Sequence, residues 1–242
     1  MHKLHIIIIS ILTFLTACHP KKELPIITAL DSNWSFRTIN TKTSHPANVP
    51  GNIYSDLIDN SIIEDPFIGD NEFKLHWVSD STWIYQTRFD VSSTILNKEN
   101  IDLNFEGLDT YAQVYLNDSL ILSSNNAFRN YKVPVKDFVL LNNSLSIKFT
   151  PTHIKEEIEK NKLGYTLPEG RRIFTRKAQF QYGWDWGPSL NTIGIWKGVS
   201  LNAWNDAKIE HVYLKKKSYT KDQAKITAKI SLSDAPKEPT LI

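Results

Sequence analysis

A chain of 242 residues in which 28 Lys and Arg face 26 Asp and Glu has a formal charge of +2, too small for the long-range field that recruits nucleic acid. Its hydrophobic content of 41%, with 7 Trp, 9 Tyr and 11 Phe, excludes a disordered chain and calls for a packed core. A single cysteine excludes a disulfide framework.

The first residues read as an export address. Lys3 precedes an apolar run over residues 6–15 that is too short to span a bilayer as a mature helix. Leu15-Thr16-Ala17-Cys18 follows, and it resembles the lipobox of bacterial lipoproteins. On that reading residues 1–17 are a lipoprotein signal peptide and Cys18 becomes a lipidated N-terminus, so the mature protein is anchored to a membrane without crossing it. His19, in place of Asp after the cysteine, points to onward transport, which gives the outer membrane or periplasm of a Gram-negative bacterium as the expected location. A conventional signal peptide with an incidental cysteine is the alternative. Residues 18–30 are expected to form a tether.

From Trp34 onward short runs alternate with turn signals. "WIYQTRFDV" (83–91), "NIDLNFEGL" (100–108), "AQVYLNDSLI" (112–121) and "NSLSIKFT" (143–150) alternate apolar and polar residues, as strands with one buried face do. Such strands, Asn-rich turns and no internal repeat predict an all-β fold, a jelly-roll β-sandwich over residues 31–205. Two helices are expected within it. One spans 52–60 after Pro50-Gly51; the other, "HIKEEIEKNK" (153–162), is strongly polar, ends at Gly164 and is expected on the surface. Beyond Asp206, "KIEHVYLKKK" (208–217) and "AKITAKISL" (224–232) read as two further strands. Two strands make no stable domain, so residues 206–242 are expected to be the truncated start of an immunoglobulin-like sandwich.

The histidines His19, His45, His76, His153 and His211 have no metal-ligand spacing, and no Gly-rich phosphate loop or Gly-x-Ser-x-Gly elbow is present. Metal and cofactor are therefore expected to be none. Carbohydrate chemistry remains, in which an aromatic face packs on a sugar ring and a carboxylate accepts hydrogen bonds from its hydroxyls. "QFQYGWDWGPSL" (179–190) supplies both. If residues 182–186 are extended, Tyr182, Trp184 and Trp186 share one side and Asp185 points to the other, with Gly183 and Gly187 leaving space around it. Packing of the tryptophans in the core, with Asp185 capping a turn, is the competing reading. Arg171, Arg172, Arg176 and Lys177 could pair with Asp185 or a ligand, or form a solvated face. Trp77 and Trp83, flanking Asp80-Ser81, are expected in the core.

"RKAQFQYGWDWGPSLNTIGIWKGVSL" (176–201) resembles the N-terminal sugar-binding domain of β-mannosidases of glycoside hydrolase family 2, a galactose-binding-like jelly roll. "VPGNIYSDLIDNSIIEDPFIGDNEFKLHWVSDSTWIYQTRF" (49–89) and "NFEGLDTYAQVYLN" (104–117) resemble that family's opening motifs, in order. The resemblance implies that Asp185 binds hydroxyls of a terminal mannose, that Trp184 and Trp186 shape the same pocket, and that a β-mannoside or mannose-containing glycan is the partner. It also implies a retaining hydrolase whose two glutamates stand on a barrel domain missing from these residues. No catalytic position is therefore assigned, and the chain alone is expected to be inactive. Asn71-Glu72 is rejected as a substitute acid, because it matches the upstream motif of the first domain. A membrane-tethered carbohydrate-binding module without catalysis is the second reading.

Overall fold

The computed structural model describes residues 24–233, so the signal-peptide and Cys18 readings lie outside the described residues. Ten strands follow in order: β1 (Ile26–Ala29), β2 (Ser35–Thr38), β3 (His45–Pro46), β4 (Trp83–Asp90), β5 (Asn100–Phe105), β6 (Tyr111–Leu116), β7 (Ser119–Ser123), β8 (Tyr131–Pro134), β9 (Asn142–Thr150) and β10 (Val199–Trp204). They form a six-stranded sheet ordered β3-β2-β4-β9-β6-β7 and a four-stranded sheet ordered β1-β10-β5-β8. All pairings are antiparallel.

Period-two alternation puts one face of each sheet inward. Phe36, Trp83, Tyr85, Val114, Leu145, Ile147 and Phe149 of the larger sheet share a core with Ile101, Leu103, Phe105, Val199 and Leu201 of the smaller. Each large side chain withdrawn from water contributes roughly 1.5–3 kcal/mol, and the result is the all-β sandwich that the alternation predicts. Among the described residues no helix is long and apolar enough to cross a membrane.

Details depart from expectation for local reasons. Residues 112–121 are two strands, because Asn117 and Asp118 take positive φ of 48° and 64° and close a hairpin between β6 and β7. Ile26–Ala29, expected in the tether, pairs with β10 at the edge of the smaller sheet. Trp83 is 2% exposed, whereas Trp77 is 42% exposed and only leans on it, ring centroids 6.0 Å apart. Trp77 is therefore not core.

The helices are α1 (Ile53–Asp59), α2 (Asn71–Lys74), α3 (His76–Asp80), α4 (Ser93–Leu96) and α5 (Thr152–Leu163). Asn52 caps α1 by accepting from the Tyr54 and Ser55 amides. Gly164, at φ 73°, ends α5. Thr152 and Glu156 of α5 are buried, so that helix is not wholly a surface element. On α1, Asp56 is fully buried and accepts from the Tyr85 hydroxyl at 2.7 Å and the Asn48 amide at 2.8 Å. Burial raises its carboxyl pKa above the ordinary value.

Beyond the sandwich, β11 (Lys208–Tyr219) and β12 (Ala224–Ser233) pair, among the described residues, only with each other. Register shifts at Glu210 and Lys217 keep the strands in phase. Ile209–Leu232, Val212–Ile230, Leu214–Ala228, Lys216–Ile226 and Tyr219–Ala224 then lie on one face as cross-strand pairs. Its large apolar members range from 39% exposed at Leu232 to 69% at Tyr219. At the joint, Glu210 pairs with Lys132 of β8 and, at 3.0 Å, with Lys208.

Two predictions follow from these contacts. The chain self-associates through the apolar ribbon face, and Val212→Lys with Ile230→Lys converts it to a monomer by light scattering; a monodisperse monomer before substitution would contradict this. Tyr85→Phe costs about 1–3 kcal/mol at pH 7 in urea denaturation, since Asp56 loses its hydroxyl donor. The sign with pH is set by the raised carboxyl: the unfolded chain releases this proton in the ordinary range near pH ~3.9 and the folded chain only above it, so stability from this group falls as pH rises through that window. The Tyr85→Phe loss accordingly shrinks as the pH is lowered and Asp56 takes up its proton, because the neutral carboxyl depends less on a donor.

Candidate functional site

Between Gly164 and Val199 the chain forms no strand and is shaped by two 3-10 segments, Arg172–Phe174 and Gln179–Tyr182. Gly183 follows at φ 89°, a conformation costly for other residues, and a Cβ there would lie 3.2 Å from Ser189 Cβ. The chain then folds back: the Trp184 amide donates to the Gly187 carbonyl at 3.0 Å and the Gly187 amide to the Trp184 carbonyl at 3.1 Å. Residues 184–187 are therefore a tight turn with Asp185 and Trp186 at its corner, and not the extended run of the sequence reading. Tyr182 departs from the others and points to Glu156.

The turn is presented to solvent. Trp184 is 52% and Trp186 81% exposed, which removes both from the core, and Asp185 is exposed beside them. Among the described residues Asp185 has neither a hydrogen-bond nor an ion-pair partner. The Arg172 guanidinium lies 5.5 Å from the centre of the Trp184 ring and also pairs with Glu169.

The rest of the cationic run disperses. Arg171 approaches Glu157 at 3.9 Å, Arg176 is exposed, and Lys177 is buried with its ammonium 3.2 Å from Asp109 and 2.6 Å from the Thr192 carbonyl. Lys177 is thus neither a solvated residue nor a partner of Asp185. Burial lowers its pKa, against the opposing pull of the Asp109 charge.

Three carboxylates hold the segment in place, and of these the sequence reading weighed only Glu72. Asp109 accepts from the Thr110 and Thr192 hydroxyls and the Gln181 amide, the last two at 3.0 and 3.2 Å. Glu156, buried on α5, accepts from Thr175 at 2.8 Å and from Tyr182, whose phenol is raised by burial first and by that carboxylate second. Glu72 accepts the Ser189 amide at 2.6 Å, two residues beyond the turn. Glu72 thus braces the end of the turn, and Asn71 beside it is buried. These partners are 26 to 117 residues apart for the last two contacts, so no local pattern could reveal them. Among the described residues no group of three or more His, Cys, Asp or Glu converges as a metal site requires.

Residues 34–197 match the model of the glycosyl hydrolase 2 galactose-binding domain-like family. The chain belongs to that family. Within it, the chain is 33% identical over 215 residues to β-mannosidase B of Thermothelomyces thermophilus, a match covering 84% of this chain and 25% of that protein. It is 32% identical over 214 residues to a probable β-mannosidase of Caenorhabditis elegans, covering 81% of this chain and 23% of the relative. Its fold superimposes on the crystal structure of β-D-mannosidase from Dictyoglomus thermophilum with a TM-score of 0.82 and 36% identity, over 86% of this chain and 26% of that one. This glycosyl hydrolase 2 domain thus spans about a quarter of the length of the relatives it matches.

Lys177→Met leaves the Asp109 carboxylate buried without its cation and is expected to cost about 3–5 kcal/mol. Adding Asp109→Asn recovers part of the loss. Urea denaturation of the four proteins of this cycle gives the coupling, and additive losses would show that the pair is not a unit.

Proposed function

We propose that this chain is the N-terminal, substrate-contacting portion of a retaining exo-β-mannosidase, which hydrolyses terminal non-reducing β-D-mannose residues. The observation that carries the reading is the exposed, unpartnered carboxylate of Asp185 between two exposed indoles, on a chain 36% identical to a β-D-mannosidase. In this reading Asp185 accepts hydrogen bonds from hydroxyls of the terminal mannose, while Trp184 and Trp186 cover the apolar face of the ring. The two carboxyl groups that retention requires, about 5 Å apart, belong to a further domain that closes over the turn. The chain's own contribution is binding energy: a desolvated carboxylate aimed at sugar hydroxyls favours the transition state where those hydrogen bonds tighten.

In the polypeptide that joins this region to its catalytic domain, Asp185→Ala is expected to lower kcat/KM for β-mannosides about a hundredfold, or about 2.7 kcal/mol of transition-state binding. Asp70→Ala, on a solvent-exposed pair with Lys74, serves as the control. Unchanged kcat/KM on removal of Asp185 would overturn the proposal.

A further inference from the structure

The loop that carries Asp185 closes on itself at its base. A Cβ at Gly183 would lie 3.2 Å from Ser189 Cβ, so the chain leaves and returns through one narrow neck. Within the loop, the described backbone bonds of residues 184–187 are the reciprocal pair between Trp184 and Gly187, which shape the turn without tying it to the sandwich. The Arg172 guanidinium lies over the Trp184 ring, but neither Gly183 nor Gly187 has a side chain with which to anchor its end of the turn. The aim of the turn is therefore set at the neck.

Each leg of the neck is gripped by a carboxylate from a distant element. On the outgoing leg Tyr182 donates to Glu156 of α5. On the returning leg Pro188 has no amide hydrogen to give, so Ser189 offers the first backbone donor after the turn, and Glu72 of α2 takes it at 2.6 Å. A charged acceptor makes such a bond about twice as strong as a neutral one. The seat of Glu72 is firm: buried Asn71 beside it donates to the Asp65 carbonyl at 2.9 Å, and Leu75, just past α2, packs into the core. Beyond Ser189 the chain rejoins the sandwich through Leu190, packed against the core, and Asn191, which donates to Thr152 at 3.0 Å. Glu72 thus holds the last point on this leg at which the turn can be aimed.

We infer that Glu72 is a positioning residue for the sugar contact: by holding the Ser189 amide it fixes the turn, and with it the Asp185 carboxylate, in the orientation that meets the terminal mannose. The inference rests on the proposed function and deepens it.

A double-mutant cycle tests it, in the polypeptide that joins this region to its catalytic domain and with p-nitrophenyl β-mannoside as substrate. Glu72→Ala is expected to lower kcat/KM about tenfold, since a small misplacement of a binding group is costly. Glu72→Gln keeps an oxygen for the Ser189 amide and is expected to stay within about threefold of the parent. With Asp185→Ala already in place, Glu72→Ala costs less than about twofold, because no carboxylate is left to orient. Circular dichroism and urea denaturation verify that each variant is folded. Should Glu72→Ala not fold, Glu72→Asp, a methylene too short to reach the amide in the same geometry, replaces it in the cycle. An equal loss with and without Asp185 would show that Glu72 acts on the fold or elsewhere, and would overturn the inference. If Glu72→Ala loses nothing while Asp185→Ala does, the inference falls alone. If Asp185→Ala loses nothing, the reading beneath it falls and takes the inference with it.

Discussion

The carboxylate of Asp109 is the point on which the irregular part of this molecule depends. The segment from Gly164 to Val199 has no sheet ladder; backbone bonds tie it down at Arg176 and at Ile193 to Ile195, and between those points side chains fix its course. Asp109, 4% exposed at the end of the β5–β6 connection, gathers Gln181, Thr192 and Lys177 from three places along that segment. A buried charge is tolerated only when its oxygens are fully occupied. Displacing one of these partners leaves the buried carboxylate short of a donor, so the positions of Gln181, Thr192 and Lys177 are coupled through it.

The same logic sorts the acidic residues around the turn. Glu72, Asp109 and Glu156 are occupied, wholly or in part, by hydroxyl, amide or ammonium donors and act as braces. Asp185 is the carboxylate at the turn itself, and it faces water. Proximity to aromatic residues does not distinguish these roles; the presence of internal donors does.

Much of the sandwich could be read from the chain because burial on one face imprints a two-residue period on β4, β5 and β9, and because Pro50-Gly51 precedes α1 and Gly164 ends α5. What escaped reading has no such imprint. β1 is a four-residue edge strand whose residues are half-buried or exposed, so it carries too weak a pattern to separate from a tether. The Trp-Asp-Trp stretch alternates on paper like a strand, but the positive φ of Gly183 and the paired amide bonds of Trp184 and Gly187 fold it into a turn. Lys177 looks like its cationic neighbours until its partner, 68 residues earlier in the chain, comes into contact with it in three dimensions.

The joint between the sandwich and the β11–β12 ribbon is built of different material. Glu210, displaced from the ladder by its bulge, reaches Lys132 and Lys208, and the Lys208 ammonium rests 3.4 Å from the centre of the Trp204 ring. The hydrogen bond from Lys132, chiefly, keeps the Glu210 carboxyl below its ordinary pKa. Since these groups are partly in water, dissolved ions compete for them as they do not for the core. Brine should let the ribbon swivel on a sandwich that stays intact, and dilute buffer should lock it.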